Sequence, residues 1–293
     1  MNLDVSMQSL KNLFAFPFRD PKWQGKFLTG AGLLFAGSII PLLPWLPVLG
    51  YAARLMRSGA RNDDASRLPE WDDWSDLFTD GLRQFGVSLI LTLPGTVLML
   101  GGYVIYMLSL FSSIAASEGR GGRGGADFGM GMLISIIALF IGMGLGMLFS
   151  TVGMLLLPPA AGHVAVQRRF GAFFQPGQWW KVLRANLGGF LVTLFILFAL
   201  YFVMMMAIQV LYMTIILCLL IPFAIAPLGF YVLVIYGRMI GQAYGEGAAK
   251  AGILPMPLPL VDPTAGADAV EPLAPSEPLA SPPSVLPVEP FAP

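Results

Sequence analysis

Three aspartates recur every fourth residue, Asp72, Asp76 and Asp80, with Asp73 beside the first. On one helical face, hard carboxylate oxygens at that spacing could hold Mg²⁺ or Ca²⁺. No Asp-rich loop with a ligand order accompanies them, so an ion-paired or solvated acidic face is the stronger reading. The chain has one histidine, His163, and one cysteine, Cys218, so a multi-histidine metal cage and an internal disulfide are excluded. His163 reads as an interfacial aromatic-type residue and Cys218 as a small packed one. There is no Walker motif, no Gly-x-Ser-x-Gly and no His-Glu-x-x-His. A hydrolase or ATPase is disfavoured, and no catalytic residue, cofactor or metal is assigned.

The remaining chemistry is charge beside aromatic rings. Arg54, Arg57 and Arg61 fall at i, i+3 and i+7 of one helix face, and Trp71, Trp74, Phe78 and Phe85 recur near the helical period. Residues 70–85 therefore read as an amphipathic interfacial helix, its rings at headgroup depth and its aspartates turned to water or to a basic partner. The arginine helix and this helix can close as a hairpin of opposed charge. Arg168 and Arg169, followed by Phe170, Phe173, Phe174, Trp179 and Trp180, form a second surface element fit to hold a lipid headgroup. The candidate contacts for headgroups or a protein partner are Arg54, Arg57, Trp71, Asp72, Trp74, Asp76, Arg168, Arg169, Trp179 and Trp180.

Such residues need elements to carry them, and composition says which. Of 293 residues, 56% are apolar and only 12% charged, with a mean hydropathy of +0.73, against roughly 25% charged in a soluble domain. Uncharged stretches run from Phe27 to Ala53, Gln84 to Ser117, Phe128 to Gln167 and Ala185 to Gly237. About 20 apolar residues cross a bilayer. The last stretch suits two crossings with a turn near 207–211, and Pro158-Pro159 should break the third. Pro41, Pro44 and Pro47 fall inside the first stretch, which is either a kinked crossing or, slightly preferred, a re-entrant hairpin buried in the bundle. The fold class is all-α: a polytopic transmembrane bundle of about five spans, the first broken by prolines.

Three domains follow: an N-terminal interfacial segment (1–26), a transmembrane helical domain (27–250), and a Pro-rich acidic tail (251–293) expected to be disordered. Residues 255–293 hold 12 of the 24 prolines, five acids and no base. Similar punctuation suggests repeats at 27–112 and 128–209 with a partial third at 210–245. Gly50-Tyr51, Gly162-His163 and Gly229-Phe230 each precede an arginine, and Trp74/Leu77/Asp80 matches Trp180/Leu183/Asn186. The positive-inside rule puts 51–84, 163–186 and the tail in the cytoplasm of a cell with the protein in its inner membrane. No Asp, Glu, Lys or Arg lies in the presumed hydrocarbon zone, and the polar groups at depth are Thr92, Thr96, Ser135, Thr193, Gln209 and Thr214. Ion-coupled transport is therefore disfavoured. Gly142, Gly146 and Ser150 invite close helix packing, within the chain rather than between chains.

Tyr51 to Gly81 is the most distinctive stretch. Phe18 to Trp23 (FRDPKW), Gly50-Tyr51 with Arg54, and Leu68-Pro69-Glu70-Trp71 followed by Asp72-Asp73-Trp74, Leu77-Phe78 and Asp80-Gly81 resemble the prokaryotic membrane-protein family called domain of unknown function 4013, over roughly residues 10–245. The resemblance implies a membrane-embedded helical domain and no assigned activity. The expected function is a non-enzymatic membrane scaffold or lipid-associating protein. The alternative is a facilitative transporter of a small or lipid-like solute, its cavity lined by the broken segments Pro41–Pro47, Pro94-Gly95 and Pro222–Pro227. Membrane lipids are the expected partners, with a protein partner through the cytoplasmic loops or tail and no nucleic acid.

Overall fold

The computed structural model describes residues 7–62, 67–119, 125–213 and 221–253. The tail beyond 253, Cys218, Thr214 and the loop arginines Arg120 and Arg123 lie outside them. The elements in order are α1 (Met7–Ala15), a 3-10 turn (Phe16–Phe18), α2 (Trp23–Ile39), α3 (Trp45–Arg61), α4 (Trp74–Gly119), α5 (Gly125–Gln167), a second 3-10 turn (Phe170–Phe174), α6 (Pro176–Ala185), α7 (Leu187–Tyr212) and α8 (Ile221–Lys250). Among the described residues, four helices are long and apolar enough to cross a membrane: α4, α5, α7 and α8.

The first apolar stretch is divided between two separate helices, α2 and α3, and neither is among the four spans. The chain breaks between Ile39 and Trp45, where Leu42 takes a positive φ of 72°. Pro47 sits in the first turn of α3, where a backbone N–H has no helical partner to lose. The contacts of α3 and α8 advance together: Gly237 meets Ala52 and Leu55, Gly241 meets Met56, and Gly245 meets Ala60. Those of α2 run the other way, Phe27 and Gly30 meeting Phe230 while Phe35 meets Phe223. So α2 and α3 are antiparallel arms of a hairpin that returns to its starting side.

Other boundaries also shift. Pro158 and Pro159 lie inside α5, which continues to Gln167; proline is tolerated in membrane helices where neighbours shield the freed groups. Helix α7 runs through 207–211 to Tyr212. The expected helix 70–85 starts only at Trp74, because Asp73 caps it, its Oδ1 accepting from the N–H of Asp76 at 3.0 Å. It then runs unbroken into a span, so the acidic turn is the foot of α4 rather than a separate interfacial helix. Its counterpart α6 is a separate ten-residue helix, so the two proposed repeat units differ here.

Helices α4 and α5 pair as a long antiparallel hairpin through small residues. Gly102 lies against Gly142, Gly95 against Gly146 and Ser150, and Gly153 against Leu91. The stripe Gly142/Gly146/Ser150 is thus used within the chain. Burial concentrates at the foot of the bundle, where α3 is wedged between α4 and α8. Tyr51, Leu55, Leu77, Phe230 and Val234 form one core there, and Ala53, Met56, Ala161, Ala165 and Ile240 another. The α3–α4 contact is backbone on backbone: a Cβ on Gly81 would overlap the carbonyl oxygen of Leu46, and one on Gly50 that of Leu77. Gly81→Val should therefore force α3 from α4 and destabilise the fold by about 1–3 kcal/mol, the usual range for overpacking. A lowered thermal midpoint in detergent would show it, while Gly171→Ala, at a position open to solvent, should leave the midpoint unchanged.

Candidate functional site

The foot of the bundle gathers the charges. Arg54 on α3 donates from Nη1 to Asp72 Oδ1 at 2.6 Å and to the Glu70 carbonyl at 2.8 Å, and from Nη2 to the Asp73 carbonyl at 3.1 Å. Its Nη2 also stands 3.7 Å from Asp76. Arg168, at the end of α5 with φ 52°, reaches the other oxygen of Asp76. One turn deeper, Asp80 is held between Arg57 and Arg83, each at 2.6 Å. The Arg83 contact is a hydrogen bond, whereas Arg57 meets Asp80 Oδ2 as an ion pair without hydrogen-bond alignment. Arg57 also approaches the Ala165 carbonyl at 3.4 Å. The predicted hairpin of opposed charge is present, and α5 joins it.

These pairs differ in depth. Asp72 is 71% exposed, whereas Asp80 is 2% exposed. Hydrogen bonding from Arg54 holds the Asp72 carboxyl below its usual range, but water screens that pair. Burial lowers the Arg57 guanidinium pKa, with Asp80 pulling the other way. Asp72, Asp76 and Asp80 face guanidinium groups, and Asp73 caps α4. Among the described residues, no group of three or more His, Cys, Asp or Glu side chains could hold a metal ion.

A second cluster escaped the residue-by-residue reading. Lys26, 8% exposed, places its ammonium 2.8 Å from Asp20 and 2.8 Å from Glu70, and donates to the Leu68 carbonyl at 2.7 Å. Asp20 is fully used: Oδ2 also accepts from the Leu68 N–H at 2.9 Å, and Oδ1 from the Lys22 N–H at 2.7 Å. Burial pushes the Asp20 carboxyl up, but these hydrogen bonds outweigh it and hold it below its ordinary 3.8. Burial likewise pushes Lys26 down, yet Asp20 and Glu70 hold it above its ordinary 10.5. The strap ties the base of α2 to the segment before α4. Its residues belong to the FRDPKW and LPEW stretches, and that was the one signal pointing to them.

Aromatic residues line the same foot. Trp71 donates its indole N–H to the Lys26 carbonyl at 2.9 Å and stacks on Tyr51 at 4.3 Å and on Trp74 at 5.9 Å. It therefore belongs to a ring stack. Trp179 is buried, donating to the Phe173 carbonyl at 3.1 Å, while Trp180 is exposed beneath Arg184 at 5.2 Å. Arg169 is exposed at the start of the second 3-10 turn. His163 is fully buried rather than interfacial: Nδ1 lies 2.6 Å from the Tyr244 hydroxyl, and Nε2 has no partner.

Above the foot, an apolar crevice of about 500 Å³ opens between α2, α3 and α8, lined by Leu34, Phe35, Trp45, Leu49, Ile225 and Leu233 among others, with Ser38 its only polar side chain. A second, of about 350 Å³, opens between α5, α7 and α8. Gly229 and Leu233 of α8 line both. Pro222 lines the first, while Pro94-Gly95 is packed against α5 and lines neither. The hydroxyls of Thr92, Thr96, Ser135 and Thr193 each donate to the carbonyl four residues back, so they spend their donors on their own helix.

Residues 33–213, more than half of the chain, match the family model described as "Protein of unknown function (DUF4013)". The chain belongs to this family. The matched range takes in α3 to α7, and with them the Arg54–Asp80 foot and Arg168; it leaves out Asp20, Lys26 and all of α8. It is narrower than the resemblance over 10–245. No curated protein and no solved structure matches.

Two outcomes test the foot. Arg57→Ala leaves the buried carboxylate of Asp80 with one fewer cation and should cost about 3–5 kcal/mol, whereas Asp72→Asn should leave the thermal midpoint nearly unchanged. The strap makes a pH prediction. Asp20, depressed in the fold, gives stability that is present above its unfolded pKa and lost as pH falls through its lower folded value. Lys26, raised in the fold, gives stability that is present below its unfolded pKa and lost as pH rises through its higher folded value. Protease resistance of the segment before α2 should be flat from about pH 5 to 10 and fall on both sides.

Proposed function

We propose that this protein is a non-enzymatic integral membrane protein that associates with lipid, taking an acyl chain into the crevice between α2, α3 and α8. The observation that carries the reading is the character of that crevice. It is almost wholly apolar, and it lies between the two arms of the hairpin and α8. The hydroxyls of Thr92, Thr96, Ser135 and Thr193 are committed to their own backbones, which favours a lipid over a hydrated solute.

In this reading the protein lies in the inner, cytoplasmic membrane with the foot of the bundle and the C-terminal tail inside. The antiparallel packing of α2 and α3 supports an N-terminal segment on that face too. Fifteen of the 17 Lys and Arg residues then fall inside, with Arg120 and Arg123 outside. The cytoplasmic loops or the tail would carry any protein partner. A second reading, facilitative transfer of a lipid-like solute, draws on the two crevices lying on either side of α8, with Gly229 and Leu233 lining both.

A Cβ on Gly229 would meet only Leu34, at 3.7 Å, so Gly229→Leu fills the crevice at little cost to packing. Native mass spectrometry after detergent exchange should find fewer lipid molecules retained by Gly229→Leu than by the wild-type chain. Equal retention by both would refute the acyl-chain site. Lipid movement across proteoliposomes, abolished by the same substitution, would favour the transfer reading.

A further inference from the structure

At the foot of α2 a polar hollow of about 380 Å³ is lined by Lys22, Lys26, Thr29, Glu70, Trp71 and Asp72, with Gly25 in its floor. We propose that it binds the headgroup of an aminophospholipid, one bearing both a phosphate and a primary ammonium. The proposal rests on the lipid-association reading and adds a second lipid site, outside the crevice, with the class of lipid it takes.

The charges of the hollow are divided. Lys22 is exposed and, among the described residues, in no ion pair, whereas the Lys26 ammonium beside it is consumed by Asp20, Glu70 and the Leu68 carbonyl. Two carboxylates, Glu70 at 60% and Asp72 at 71% exposure, also line the hollow. Glu70 meets Lys26 through Oε1, and both contacts of Asp72 fall on Oδ1. A headgroup carrying only negative charge would gain one cation and face two carboxylates. A zwitterion satisfies both signs: phosphate toward Lys22, ammonium toward Glu70 and Asp72. A primary ammonium has N–H donors for those carboxylates, and a quaternary one has none.

The rest of the lipid also has a place. An apolar groove of about 490 Å³ follows the outer side of α2, from Trp23 and Gln24 past Phe27, Leu28 and Gly32 to Phe223 and Pro227 of α8. Gly25 in the hollow and Gly32 in the groove are seven residues apart, hence on one helix face, and neither has an atom within 4 Å of where a Cβ would stand. Leu28, which lines the groove, and Thr29, which lines the hollow, occupy the turn between them, so the hollow and the groove adjoin along α2. Trp23 lines the groove and Trp71 the hollow where the two adjoin at the base of α2, as indoles do at headgroup depth.

The test is retention by the full-length protein. The chain is exchanged into detergent carrying equal amounts of phosphatidylethanolamine, phosphatidylcholine and phosphatidylglycerol, then examined by native mass spectrometry. Wild type should retain phosphatidylethanolamine over each of the others by about two- to fivefold, the discrimination that exposed ion pairs supply. Lys22→Ala should cut that retention, Asp72→Asn should raise phosphatidylglycerol at its expense, and Gly32→Phe, which blocks the groove, should lower all three together. Equal retention of the three by wild type, a preference for phosphatidylglycerol, or an unchanged pattern in Lys22→Ala would overturn the headgroup assignment while leaving lipid association standing. Retention of no lipid at all would overturn both.

Discussion

The structure depends on how closely α3 can approach its neighbours. Glycines put backbone against backbone on both of its sides: Gly50 and Gly81 on the side of α4, Gly59, Gly237, Gly241 and Gly245 on the side of α8. In a bilayer no hydrophobic force draws apolar helices together, so association rests on dispersion contact and on polar groups that find partners. The tight wedge supplies the first. It also carries Arg54 and Arg57 to the aspartates at the start of α4, which supplies the second. With α3 fixed there, α2 can only fold back along α8, and the space it fails to fill is the crevice.

The charges are graded along the same wedge. Asp72 at the rim is screened by water and contributes orientation, while Asp80 a little deeper is committed to Arg57 and Arg83. The strap of Asp20, Lys26 and Glu70 repeats this arrangement at the base of α2. Buried ion pairs of this kind add little net stability over apolar packing but exclude alternatives that leave a charge unpaired. They hold the two arms of the hairpin at one level, and the aromatic stack of Tyr51, Trp71 and Trp74 seals the space between them.

Much of this was legible in the chain. Uncharged runs near or above 20 residues marked the four spans, and the prolines at 41, 44 and 47 marked the hairpin turn. The arginines of α3 and the aspartates near 72–80 had matching spacing. What periodicity could not show was which residues turn inward. Trp71 looked like the first ring of an interfacial helix, but Pro69 and the capping Asp73 hold its segment out of helix, so it stacks on Tyr51 at the edge of the core. His163 and Trp179 looked like interface residues and are buried, because the foot of the bundle is packed tightly enough to take rings. Pro158 and Pro159 looked like a break, yet a helix shielded by its neighbours continues through them. The strap and the crevices join residues from distant stretches, and only the FRDPKW and LPEW motifs hinted at the former.

The central claim is that the first apolar stretch enters and leaves on one side. Single cysteines placed by Lys22→Cys and Arg61→Cys in a Cys218→Ser background, probed with a membrane-impermeant maleimide in sealed vesicles of known orientation, test it directly. Both positions should be labelled from the same face. Labelling of the two from opposite faces would mean that α2 and α3 together cross the bilayer, and the returning hairpin with its lateral crevice would be wrong.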